Sequence, residues 1–114
     1  MRAASLEGKS TLAAKGDSAK IKLSINTAGG TSDTTDKARV YITNGTASDG
    51  VAVVSKSSKY KGTISGNEIT LTLQKAPVEE ATVYVLYKDS ITKKEVAYRL
   101  ATIDGNGTIT LENA

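Results

Sequence analysis

The chain has no cysteine, no histidine, no tryptophan and no phenylalanine, and only one proline and one methionine. Each absence removes a class of chemistry. Without Cys there is no disulfide, no thiol nucleophile and no thiolate metal ligand; without His there is no imidazole base and no zinc site of the usual kind. The aromatic residues are five Tyr in 114 residues, so stacking platforms for sugars or bases have little to draw on. No apolar run is long enough for a membrane span or a signal-peptide core. Met1-Arg-Ala-Ala-Ser5 opens directly onto Leu6-Glu-Gly-Lys9, the abrupt start expected of a domain excised from a longer chain. A Cys-free chain fits a reducing interior, or an exterior where the domain needs no staples.

What is present is hydroxyl and mixed charge. The chain carries 15 Thr and 11 Ser, and 15 Lys and Arg against 12 Asp and Glu, for a net charge of +3. Both signs are spread along the whole length. The densest basic stretch is Lys56-Ser-Ser-Lys59-Tyr60-Lys61, which could meet phosphate or another anionic polymer and otherwise serves as a solvated loop. The length suits one domain, burying about two thirds of the surface its unfolded chain exposes.

Alternation with period two dominates. Ile21, Leu23 and Ile25 point one way while Lys20, Lys22 and Ser24 point the other. The same pattern runs through Ala38-Val40-Ile42, Ile69-Leu71-Leu73, Val96-Tyr98-Leu100 and Ile109-Leu111. Val51–Val54 and Val83–Tyr87 are apolar on both faces, as mid-sheet strands often are. Turn signals separate the runs: Gly16-Asp17, Gly29-Gly30, Asn44-Gly45, Asp49-Gly50, Gly66-Asn67 and Gly105-Asn-Gly107. Thr27–Asp36 reads as a mobile loop. Seven to nine short strands at this spacing predict an all-β antiparallel sandwich, with no helix.

From Leu71-Thr-Leu73 the chain continues through Ala76, Glu80-Ala81-Thr82, Tyr84 and Leu86. This spacing resembles the E–F corner of immunoglobulin domains, where a Tyr precedes the second Cys by two residues and pins the turn. Gly16–Leu23 resembles the opening of strand B. The resemblance spans residues 16 to 103 and implies that Tyr84 locks the corner. It also implies that Leu23 and Leu86 replace the two cysteines with an apolar contact. Tyr41 stands roughly where strand C carries its buried Trp, a departure from the pattern. Another sandwich order, such as that of fibronectin type III domains, remains an alternative. Residues 1–9 and 104–114 lie outside the minimal pattern, as peripheral or linking strands. The Thr, Ser, Lys, Ala and Val-rich composition is similar to the repeated modules of bacterial surface-layer proteins and adhesins.

Other constellations have plainer readings. Glu79-Glu80 point apart on an extended chain and belong to the corner. Asp33, Asp36, Asp49 and Asp104 could supply oxygen ligands for calcium, but Asp also builds turns without a metal. Asn44-Gly-Thr46 and Asn106-Gly-Thr108 could accept glycans in a secretory pathway, and read first as the preferred Asn-Gly hairpin turn. An internal Lys–Asn isopeptide would need a buried Lys, yet Lys20 and Lys22 face outward and Asn113 ends the chain. Of the tyrosines, Tyr98 joins the inner row, leaving Tyr41, Tyr60 and Tyr87 as a thin supply for sugar binding.

The sequence thus leads to a non-catalytic assembly module of an extracellular or cell-surface protein. It would pack against neighbouring domains or other copies, with no cofactor, no nucleic acid and no membrane insertion. The alternative is a binding module for an anionic cell-wall polymer, a carbohydrate or a protein, using Lys56, Lys59, Tyr60 and Lys61.

Overall fold

A computed structural model describes residues 3–24, 38–45, 56–88 and 91–112. Eight strands fall in this part: β1 (Ala3–Gly8), β2 (Ser18–Ser24), β3 (Arg39–Asn44), β4 (Tyr60–Ser65), β5 (Glu68–Leu73), β6 (Ala81–Lys88), β7 (Glu95–Ile103) and β8 (Ile109–Leu111). The described residues contain no helix. The strands form two antiparallel sheets of four, in the orders β1-β2-β5-β4 and β3-β6-β7-β8. Thr27–Asp36 and Val51–Val54 lie outside the described residues.

The period-two pattern sets which face of each strand is buried. In the first sheet Leu6, Ile21, Ile69 and Ile64 lie in register across all four strands. Their outward neighbours are polar: Glu7, Lys20, Thr70 and Thr63 form the next row. The second sheet turns Ile42, Val83, Val85, Ala101 and Ile103 toward the first, and one continuous core joins residues of both. Each fully buried aliphatic side chain stabilises the fold by about 1.5–3 kcal/mol relative to exposure.

Turns close the ladders as their residues require. Between β4 and β5 the loop is Gly66-Asn67, with φ +59° at Gly66, as the first position of a type II′ turn demands. Asn67 then extends the sheet, its carbonyl accepting from Leu23 N at 2.8 Å and its amide donating to Leu23 O at 3.2 Å. Asp104–Thr108 joins β7 to β8, and Asp104 Oδ1 accepts from Asn106 N at 2.8 Å and Thr108 N at 2.9 Å.

Two segments outside the minimal immunoglobulin pattern are integral to the sheets. β1 is an edge strand paired over its whole length with β2. The chain then crosses to the other sheet, where Leu12 N donates to Gly107 O and Ile109 N to Ser10 O, both at 2.8 Å. Leu12 is fully buried. This strap covers the β1/β8 side of the molecule. On the opposite side, between β3 and β4, the segment Lys56–Lys59 links the two sheets.

Successive strands reverse direction, so β8 runs back toward the end at which β1 begins. The other end of the molecule gathers the strap, Lys56–Lys59, residues 74–80 and the Asp104–Thr108 turn.

The sheets approach closely where β4 passes β3. A Cβ at Gly62 would overlap Val40 Cγ1 and come within 3.1 Å of Ile42 Cδ1. Val is stiff at χ1 and cannot swing aside easily. Gly62→Ala is therefore expected to destabilise the protein by about 1–3 kcal/mol through overpacking. Urea unfolding should show a lower midpoint at unchanged slope.

Candidate functional site

The basic stretch picked out in the sequence sits on the β3/β4 side, in a short segment stitched to both sheets. Lys56 bridges to Thr43, and Ser57 N donates to Ile42 O at 2.7 Å. Lys59 O accepts from Gln74 N at 2.8 Å and Lys75 N at 3.2 Å, tying the segment to the end of β5. Ser57 Oγ accepts from Lys59 N at 3.1 Å and closes the turn. The result is a groove of about 370 Å³. Val40 and Ile42 form its apolar part, Lys56 and Lys61 its cations, and Ser58 and Gln74 its neutral polar groups; no acid lines it among the described residues.

Tyr60 contributes differently from Lys56, Lys59 and Lys61. Only 3 % of its surface is exposed, and its hydroxyl donates to Glu79 O at 2.9 Å. Its ring belongs to the core, so it offers no exposed aromatic face to a ligand. The two lysines lining the groove are exposed and Lys59 is half-buried. Burial of the Tyr60 phenol pushes its pKa up, with the Glu79 and Asp104 carboxylates acting in the same direction.

The expected partners of the immunoglobulin-type core are arranged otherwise. Leu23 lies in the core, but Leu86 and Tyr84, though buried, lie outside the core cluster that contains their neighbours Val83 and Val85. Since side chains alternate along a strand, Tyr84 and Leu86 are on the outer face of the second sheet. Leu86 therefore does not meet Leu23 across the sandwich, and Val83 and Val85 take the inward positions. A shift of one residue reverses every side chain of a strand. On that outer face Tyr41 lies opposite Tyr84, and Tyr84 opposite Arg99. The hydroxyl of Tyr60, from β4, ties its strand to the turn before β6.

Asp104 spends one carboxylate oxygen on two backbone N–H groups, which builds the turn. Asp33, Asp36 and Asp49 lie outside the described residues, as does Asn113. Among the described residues no three metal-ligating side chains cluster. The backbone carbonyl of Glu80 accepts from Gly45 N at 2.8 Å, tying the corner to the end of β3.

One further acid is structural. Asp17 Oδ2 accepts from Ala14 N at 3.0 Å and Ala13 N at 3.1 Å, while Oδ1 meets Lys9 Nζ at 3.2 Å. The Ala14 N–H, then the Lys9 ammonium and the Ala13 N–H, hold its carboxyl below the ordinary value. This pins the strap between β1 and β2.

Two pH limbs follow from these directions. Asp17 has a lowered folded pKa, so its contribution is present above the unfolded value and is lost as pH falls through the folded one. Tyr60 has a raised folded pKa, so its contribution is complete below the unfolded value near 10 and declines as pH rises toward the folded one. Thermal melts across pH should show Asp17→Asn flattening the acid limb and Tyr60→Phe the alkaline one. At neutral pH Tyr60→Phe is expected to cost about 1 kcal/mol, the net worth of one hydrogen bond.

Compared with known protein families, curated proteins and solved structures, the chain matches none.

Proposed function

We propose that the chain is a non-catalytic, immunoglobulin-like structural module of an extracellular or cell-surface protein, of the surface-layer or adhesin kind. The observation that carries this reading is the strand order. β1-β2-β5-β4 follows the A-B-E-D order of a constant-type immunoglobulin sheet, and β3-β6-β7 follows C-F-G, with β8 added beyond. The outer face of the first sheet supports a packing role. Its rows Ser5-Lys22-Glu68-Ser65 and Glu7-Lys20-Thr70-Thr63 are polar, of mixed charge and without aromatic residues. Such a face keeps a module wet while leaving association to its edges. β1 and β4 are the edge strands of that sheet, and unpaired edge N–H and C=O groups are templates for strand addition.

In this reading the module works mechanically. Aliphatic packing replaces the missing disulfide, the strap at Ser10–Leu12 locks the first segment to the last hairpin, and edges meet other copies or neighbouring domains. Sedimentation at rising concentration, combined with amide exchange, tests it. Reversible self-association with new protection confined to β1 or β4 is expected. A monomer up to millimolar concentration, with both edges exchanging freely, would remove packing between copies.

A further inference from the structure

The groove between β3 and β4 goes beyond a packing role. Its walls come from separate stretches of chain: Val40 and Ile42 from β3, Lys56 and Ser58 from the stitched segment, Lys61 from β4 and Gln74 from beyond β5. The two cations stand on opposite supports. Lys56 is fixed beside β3 through its bridge to Thr43, whereas Lys61 is in register with Thr72 on the first sheet. Among the described residues no acid lines the groove, and neither Lys56 nor Lys61 meets a carboxylate there. In the first sheet Lys20 has Glu68 at 3.3 Å, and in the second Arg39 has Glu95 at 2.9 Å. These paired cations contrast with those of the groove.

We propose that this groove binds an acidic glycan chain, a linear sugar polymer carrying carboxylate or oxyanion-ester groups. Three features select that class. Two lysines supply point charges that suit an anionic group without fixing its geometry. The hydroxyl of Ser58 and the amide of Gln74 can exchange hydrogen bonds with sugar hydroxyls. The half-buried Val40 gives an aliphatic contact for the C–H face of a pyranose ring, a role that buried Ile42 and Tyr60 cannot fill. The groove also lies at the end of the molecule opposite the start of β1, so it faces away from the point where the chain enters the fold.

The test is a titration of the isotopically labelled chain with four probes: polygalacturonate oligomers, dextran sulfate oligomers, neutral dextran and polyglutamate. Binding of one or both acidic glycans at low salt is expected, with amide shifts centred on Ile42, Lys56, Ser57 and Gln74 and affinity falling at high salt. Which of the two binds identifies the acidic group. Lys56→Ala and Lys61→Ala should each weaken binding about tenfold, the usual worth of a hydrogen bond to a charged group. The double variant Lys20→Ala/Lys22→Ala, which removes twice the charge of either single variant from the outer face, should bind like the wild type. Four results would overturn the proposal: no shifts with either acidic glycan, equal loss in the Lys20/Lys22 variant, equal binding of neutral dextran, or polyglutamate bound as tightly as the glycans. A monomeric chain that still binds would separate this site from the packing role proposed above.

Discussion

Aliphatic contact between two sheets is the interaction on which everything else here depends. Ile21, Ile69 and Leu71 on one side and Val83, Val85 and Ile103 on the other are fully buried. No disulfide reinforces them, and no Phe or Trp adds bulk. A core of branched and linear aliphatics holds two sheets only if the side chains interdigitate at close range, since dispersion falls steeply with any gap. Gly62 shows how tight that fit is. By giving up its side chain it lets β4 pass directly over Val40 and Ile42.

The polar parts of the molecule serve the same contact from its rim. Asp17 gathers Ala13, Ala14 and Lys9; Asp104 gathers Asn106 and Thr108; Tyr60 reaches Glu79 across the gap between sheets. Each satisfies backbone groups that would otherwise be left without partners where the chain changes sheet or direction. Two of them were open to a functional reading: Asp104 as a cation ligand and Tyr60 as a ligand platform. Their hydrogen bonds give both a structural task instead. The groove then remains as the place where cations and apolar surface meet without an acid among the described residues.

The two sides of the sandwich differ for a simple reason of connectivity. After β1 the chain crosses over and lays Ser10–Leu12 beside the last hairpin, and Leu12 fills the opening there. On the other side the segment Lys56–Lys59 is anchored at both margins, and a groove lined by it remains there. Packing through edges and binding through the groove use different surfaces. The two roles are therefore compatible in one module.

The all-β class, most of the strands and nearly all the described turns were legible in the sequence. Alternation and Gly-Asn or Asp-Gly signals are local, and local backbone preference decides them. β1 and β4 were harder to read, because Gly62 interrupts the apolar row of β4 and β1 carries only Ala4 and Leu6 inward. The inward face of β6 was not legible at all. Six consecutive residues, Ala81 to Leu86, are buried, so hydrophobicity no longer marks one face, and the assignment of Tyr84 and Leu86 to the core slipped by one residue. Only the tertiary structure decided that parity, along with the reach of Tyr60 to the turn before β6. It alone brought residues 40, 42, 56, 58, 61 and 74 around one groove. Periodicity is written along the chain, whereas a site is made by strands that are distant in sequence and adjacent only once the two sheets have closed on each other.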